Sequence, residues 1–310
     1  MKVIYDKKHL LHNPEMCHPG HPEVSKRAEN ILHSVREAGH NIISPKLYDL
    51  DVIQTVHSID YIKYLSSSGG KRIVEKDNRY CFADNTPILE NTFDAARASA
   101  NCALTGADLL IAGEPKVYAL CRPPGHHSGN NYCLGFCYFN NAALAAKRLS
   151  DNGKNKIAIL DVDYHHGNGT QDIFYESNDV LYVSIHADPN FAFPHRWGFS
   201  EETGMKAGKG FNINFPLPMF TKEFDYLDIL NQALEIINNF NADFLIVSFG
   251  ADTFTNDPLG TFELSEDSFT KLGGMVQRLN LPTLVIQEGG YNLDSIGTCV
   301  TNFLKEKKSK

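Results

Sequence analysis

Residues able to do chemistry are densest in Ile157-Ala-Ile-Leu-Asp161-Val-Asp163-Tyr-His165-His166-Gly-Asn168-Gly-Thr170, where an apolar run delivers two carboxylates and two imidazoles to a glycine-broken end. Alternation along an extended backbone puts Asp161, Asp163 and His165 on one side, with Val162 and Tyr164 on the other. An Asp-x-His pair then converges on one ion. Carboxylate oxygen and imidazole nitrogen suit zinc or another divalent transition metal, and two ligands from one strand need at least a third from elsewhere. The bland alternative is a buried strand end whose polar residues cap the next helix.

The elements around this stretch decide between the two. Apolar strands are expected at Val117–Leu120, Ile157–Leu160, Val180–Ile185, Phe211–Phe215, Phe244–Phe249 and Thr283–Gln287, after an opening strand at Lys2–Tyr5. Helical periodicity falls near 23–38, 91–112, 140–150, 169–176, 222–239, 267–279 and 294–305. Continuous apolar strands alternating with helices imply an α/β fold, a single domain over residues 1–310 with a central parallel sheet of about eight strands and helices on both faces. In such sheets ligands bind beyond the carboxyl ends of the strands. Four exits are polar: Cys121-Arg-Pro-Pro-Gly-His126-His127, the opening stretch, Gly250-Ala-Asp252, and Glu288-Gly-Gly-Tyr291.

Asp252 supplies the missing third ligand, giving an Asp, His, Asp set with open positions, the mark of a catalytic metal. A divalent ion lowers the pKa of its water and polarises a carbonyl. His126-His127, on a turn stiffened by Pro123 and Pro124, offers a general base at neutral pH. The Tyr291 hydroxyl can donate to an oxyanion opposite the metal, a contact worth about 10²- to 10³-fold in rate. Together these parts perform hydrolysis of an amide or ester.

The whole chain is compatible with that. It has 310 residues, 42% hydrophobic and 21% charged, and no apolar run long enough to span a membrane. Its opening, Met1-Lys-Val-Ile-Tyr-Asp6, carries no signal-type apolar core, so a cytoplasmic protein is expected. Seven cysteines, an odd number without framework spacing, read as reduced thiols. Twenty-nine basic against 37 acidic side chains give a charge of −8, which argues against a nucleic-acid partner. His9, His12, His18 and His21 crowd a Pro-rich loop, but their spacing fits no zinc finger. Residues 60–88 read as an exposed insertion loop and 305–310 as a frayed tail.

Five blocks carry a resemblance: Arg122-Pro-Pro-Gly-His-His127, Gly135-Phe-Cys-Tyr-Phe-Asn140, Asp161-Val-Asp-Tyr-His-His-Gly-Asn-Gly169, Ser248-Phe-Gly-Ala-Asp252-Thr and Glu288-Gly-Gly-Tyr291. In order and evenly spread, they resemble the signature blocks of the histone deacetylase superfamily, and most of all its bacterial acetylpolyamine amidohydrolases. The resemblance implies an arginase/deacetylase-like fold and one Zn2+ per chain, with Fe2+ as an alternative, on Asp163, His165 and Asp252. It implies His127 as base and then acid, His126 as electrostatic partner oriented by Asp161, and Asn168 facing His127. Many eukaryotic deacetylases carry Asp where Asn168 stands. A narrow tunnel would be flanked by Phe136 and Phe193, with the Gly135 carbonyl near the substrate amide. A K+ or Na+ would sit on Asp161, the carbonyls of Asp163, His165 and Ile185, and the Ser184 hydroxyl, with a second such site near Phe174 and Val180.

The implied substrate is a small cationic acetylated amine. The stretch that in the family assists dimerisation and contributes acidic groups is short here, with Glu75, Asp77 and Asp84 as its acidic candidates, which weakens the case for a homodimer and for polyamine preference. Two other readings share parts of this chemistry. A protein N-acetyl-lysine deacetylase is the alternative, and a ureohydrolase would need two metals, whereas Phe254 stands where its further Asp should be. A catalytically dead binding module would have lost one of the key residues, and all are present.

Overall fold

In the computed structural model, residues 1–67, 85–153 and 156–305 are described. The acidic candidates Glu75, Asp77 and Asp84, and the tail beyond Lys305, lie outside them. Eight parallel strands form one sheet: β1 (Lys2–Ile4), β2 (Asn41–Ile43), β3 (Lys116–Ala119), β4 (Ile157–Asp161), β5 (Val180–Ala187), β6 (Asn212–Leu217), β7 (Phe244–Phe249) and β8 (Thr283–Gln287). Their spatial order is β2-β1-β3-β8-β7-β4-β5-β6. The helices are α1 (Ser25–Glu37), α2 (Leu50–Gln54), α3 (Ile59–Ser67), α4 (Thr92–Ile111), α5 (Asn141–Ser150), α6 (Asn168–Phe174), α7 (Glu223–Phe240), α8 (Glu266–Val276) and α9 (Ile296–Leu304). No helix among the described residues is long and apolar enough to cross a membrane.

Strand β4 shows why the sheet needs helices on both faces. Ala158 and Leu160 enter one core cluster with residues of α1, α7, α8 and α9, while Ile157 and Ile159 enter another with residues of α4 and α5. A strand buried on both sides cannot alternate polar with apolar, hence its continuous apolar run. Beyond the last paired residue the alternation persists, since Val162 and Tyr164 join the first cluster. That leaves Asp161, Asp163 and His165 facing the other way.

Two expectations need correcting. The first residues of the 60–88 stretch are not an exposed loop: α3 extends to Ser67 and buries Tyr61, Ile62 and Leu65. At its far end Thr86 and Ile88 are buried too. The apolar face of α3 is only two turns long and runs into Ser and Gly, so the loop signal masked it. Strand β2 was also absent from the expected elements, being a three-residue edge strand with partly exposed side chains.

Candidate active site

Strands β3, β8, β7 and β4 are consecutive neighbours in the sheet. Because all run parallel, the loops leaving their carboxyl ends emerge side by side, and they carry His126 and His127, Tyr291, Asp252, and Asp163 with His165 respectively. The sheet order is what turns four distant stretches into one site.

His165 Nδ1 lies 3.1 Å from Asp252 Oδ2 and 3.3 Å from Asp163 Oδ1. One ligand atom from each of the three residues falls within 4.8 Å of the others, and both carboxylates are fully buried. Burial and the charge of Asp163 raise the pKa of Asp252. His165 goes up to about 9: burial would lower it, but its hydrogen bonds to Asp163 and Asp252 outweigh that. Two carboxylates and an imidazole forced together away from water thus draw positive charge strongly, a donor set that fits a divalent cation. Asp252 Oδ1 accepts the Tyr164 amide at 3.0 Å and Asp163 Oδ2 accepts the Gly289 amide at 2.8 Å, so both carboxylates are oriented by backbone.

The two histidines on the preceding loop have opposite proton affinities. His126 Nδ1 pairs with Asp161 Oδ2 at 3.1 Å, and that oxygen also accepts the Tyr182 hydroxyl at 3.0 Å. Burial alone would lower His126, yet Asp161 and Asp163 raise it to about 10. His127 Nδ1 instead meets the neutral Asn168 Oδ1 at 2.8 Å. Burial, with the charges of His126 and His165, holds His127 well below the ordinary imidazole value. The two imidazoles are thus pushed in opposite directions, His126 toward its charged form and His127 toward its neutral one. The close approach of α6 to this turn depends on Gly169, where an added Cβ would fall 2.3 Å from the Ser128 carbonyl oxygen.

Tyr291 is buried, which pushes its hydroxyl pKa well up and keeps it a proton donor. The Arg27 guanidinium stacks on its ring at 4.6 Å, and Arg27 donates to the carbonyls of Gly290 at 2.5 Å and Glu288 at 2.6 Å. Phe193 packs edge-on against His127 at 4.9 Å between ring centroids, while Phe136 packs against Tyr291 at 5.9 Å. Phe136 holds a left-handed backbone, φ 68°, sparsely populated for a bulky residue. Gly135 lies against His127, where a Cβ would come within 2.3 Å of its ring. Asp161 and Ser184 are register partners on β4 and β5, and the Ser184 hydroxyl bonds His186 Nδ1 at 2.8 Å.

A second group, His126, Cys137 and Glu288, also brings ligand atoms within 4.8 Å. Burial raises the Cys137 thiol well above its ordinary pKa, and the thiol donates to the Gly135 carbonyl at 3.3 Å, so a metal would have to displace that proton to bind there. Glu288 serves the backbone instead: its Oε2 accepts the amides of Gly125 at 2.6 Å and His126 at 3.1 Å. Asp257 does the same for Tyr291 and Asn292. Neither was singled out from sequence for this role. Glu288 opens the Glu288-Gly-Gly-Tyr291 block and Asp257 stands five residues after Asp252, so nearness to site residues was the available signal. The loop histidines support the N-terminal segment: buried His12 bonds Thr92 through Nδ1, and His21 Nε2 bonds the Asn85 carbonyl.

Adjacent exits of the sheet thus assemble a buried carboxylate and imidazole cluster beside two further histidines and a tyrosine, an arrangement that suits hydrolysis of amide bonds. The chain belongs to the histone deacetylase family: the histone deacetylase domain matches residues 21–307. It is 39% identical to the acetylpolyamine amidohydrolase of Mycoplana ramosa, across 98% of this chain and 99% of the relative. The crystal structure of acetylpolyamine aminohydrolase from Burkholderia pseudomallei superposes with a TM-score of 0.91 at 33% identity, covering 98% of this chain and 97% of that one. The HDA15 HD domain gives a TM-score of 0.89 at 32% identity, covering 98% and 86%. The expected arginase/deacetylase-like architecture is thereby borne out.

Proposed function

We propose that this chain acts as one catalytic domain, a zinc-dependent amidohydrolase that removes acetyl or a similar short acyl group from a cationic amine of acetylpolyamine type. The observation that carries the reading is the placing of His126 on the Asp161 carboxylate and of His127 on the neutral Asn168 amide, beside the Asp163, His165 and Asp252 cluster. Full-length similarity to a relative named for acetylpolyamines supports the substrate class.

Asp163, His165 and Asp252 would hold the ion, which when bound supplies Lewis acidity to water and to the amide carbonyl. His127 takes a proton from the attacking water at Nε2, since its Nδ1 is engaged with Asn168. His126 stays protonated on Asp161 and offsets the developing negative charge. The Tyr291 hydroxyl donates to the carbonyl oxygen as that charge grows. His127 then returns its proton to the leaving nitrogen as the C–N bond breaks. Phe136 and Phe193 would flank the acyl chain, with the Gly135 carbonyl accepting the substrate N–H. A monovalent cation on Asp161, Ser184 and the carbonyls of Asp163, His165 and Ile185 would steady the same loop.

A panel of acetylspermidine, acetylputrescine, acetylcadaverine and an acetyl-lysine peptide tests this. The small amines should be turned over best, and preference for the peptide overturns the assignment in favour of a protein deacetylase. Metal analysis should return about one tightly bound divalent ion per chain, whereas two would revive the ureohydrolase reading. Tyr291→Phe should keep that ion and lose about 10²- to 10³-fold in kcat, and near-parental turnover would sink the oxyanion role.

A further inference from the structure

Behind His127 a hydrogen-bonded chain runs outward to solvent. His127 Nδ1 meets Asn168 Oδ1 at 2.8 Å, Asn168 Nδ2 donates to the Tyr132 hydroxyl oxygen at 3.2 Å, and the Tyr132 hydroxyl donates to Asp172 Oδ2 at 2.5 Å. Asn168 and Asp172 stand four apart on α6 and so share one helix face, which the tyrosine hydroxyl bridges. Its ring reaches that position by crossing Gly129, where an added Cβ would sit 2.2 Å from Tyr132 Cε1. The Tyr132 backbone is tied to the residue after His127, its carbonyl accepting the Ser128 hydroxyl at 3.1 Å.

The amide at Asn168 creates a problem that a carboxylate would not. Its two ends are nearly the same shape, but one accepts and the other donates. Turned one way, the amide accepts from Nδ1–H and leaves Nε2 of His127 bare, as a base requires. Turned the other way, it donates to Nδ1, puts the proton on Nε2 and abolishes the base. The outer end of the chain breaks this tie. An ionised Asp172 has only acceptors, so the single hydroxyl proton of Tyr132 goes to it. The tyrosine oxygen then offers only lone pairs to Asn168, which must present its NH₂ there and its carbonyl to His127.

We infer that Tyr132 and Asp172 are positioning residues that set the tautomer of His127 by fixing which way the Asn168 amide faces. The inference rests on the deacetylase reading, in which His127 is the base. It assigns a role to two residues outside the signature blocks, and it explains how a neutral amide can stand beside the catalytic imidazole without leaving its tautomer open.

The test combines kinetics with nitrogen-15 NMR of histidine-labelled, metal-loaded enzyme. In the parent, His127 should carry its proton on Nδ1. Tyr132→Phe and Asp172→Asn should each give a mixed or reversed tautomer and lose about 10- to 100-fold in kcat, with KM and metal content unchanged. In an Asn168→Asp background both side-chain oxygens accept, so the carboxylate needs no orienting partner and Tyr132→Phe should cause no further loss. Equal losses in both backgrounds, or a His127 tautomer indifferent to Tyr132 and Asp172, overturns the proposal. Should the parent turn over no acetylated amine, the deacetylase reading fails, and the NMR arm still decides whether the chain sets the tautomer. Asp172→Asn leaves the tyrosine ring in place, so a folding defect in Tyr132→Phe would not block the experiment.

Discussion

Asp257 illustrates how a residue holds a candidate catalytic side chain from behind. Its Oδ2 accepts the backbone amides of Tyr291 at 2.6 Å and Asn292 at 3.0 Å, and its Oδ1 accepts that of Leu259 at 2.9 Å. Three bonds to one buried carboxylate fix where the tyrosine leaves the chain. Asp257→Ala should leave the buried Tyr291 amide unsatisfied, costing about 1–3 kcal/mol, and should shift the hydroxyl relative to the site. The expected outcome is a lower Tm together with a fall in kcat of about 10- to 100-fold at unchanged metal content; a variant with parental kcat would show that Tyr291 is held by other means. Residues such as Asp163, His165 and Tyr291 were legible in the sequence because their types and spacing imply chemistry. The backbone-holding roles of Asp257 and Glu288 were not, because a carboxylate that binds backbone amides needs no particular partner side chain, and its targets appear only when the loops meet.

At the scale of elements, the buried strands were legible and their neighbours in the sheet were not. An apolar run buried on two faces announces itself, as β4, β7 and β8 did within a residue or so of their ends. The order that sets β3, β8, β7 and β4 side by side leaves no local trace. Helix ends offer a measurable contrast. Asn140 caps α5, its Oδ1 accepting the Ala143 amide at 2.9 Å, while its Nδ2 donates to the Ser128 carbonyl and the Thr170 hydroxyl, both at 3.0 Å. It thus fastens α5 and α6 to the turn that carries His127. Ser265 caps α8 through a reciprocal pair with Ser268 and touches none of the site residues. Ser265→Ala should cost about 1 kcal/mol and lower Tm by roughly 2–4 °C with kcat untouched. Asn140→Ala should lose more stability, because the Ser128 carbonyl is orphaned as well, and should also depress kcat. Thermal melts with matched kinetics separate the two, and equal kinetic effects would disconnect α5 from the site.

Over the whole molecule the net charge of −8 bears on how substrate arrives. Summed surface charge raises the encounter rate of an oppositely charged ligand by about 10- to 10³-fold, and salt screens the effect over a Debye length of about 10 Å at 0.1 M. On the proposed function the chemistry falls to His127, packed against Phe193, and is beyond the reach of that screening, since His126 and His127 are 2% and 4% exposed. Capture and catalysis should therefore respond differently to ionic strength. For a cationic acetylated polyamine, kcat/KM should fall several-fold, roughly tenfold at most, as salt is raised through the physiological range, with kcat nearly constant. An uncharged acetylated amide of similar length should show neither change. Steady-state kinetics of the two substrates across a salt series make the comparison. A parallel decline for both would mean that salt perturbs the enzyme itself, and a flat response for both would mean that the acidic surface takes no part in recognising a cationic amine.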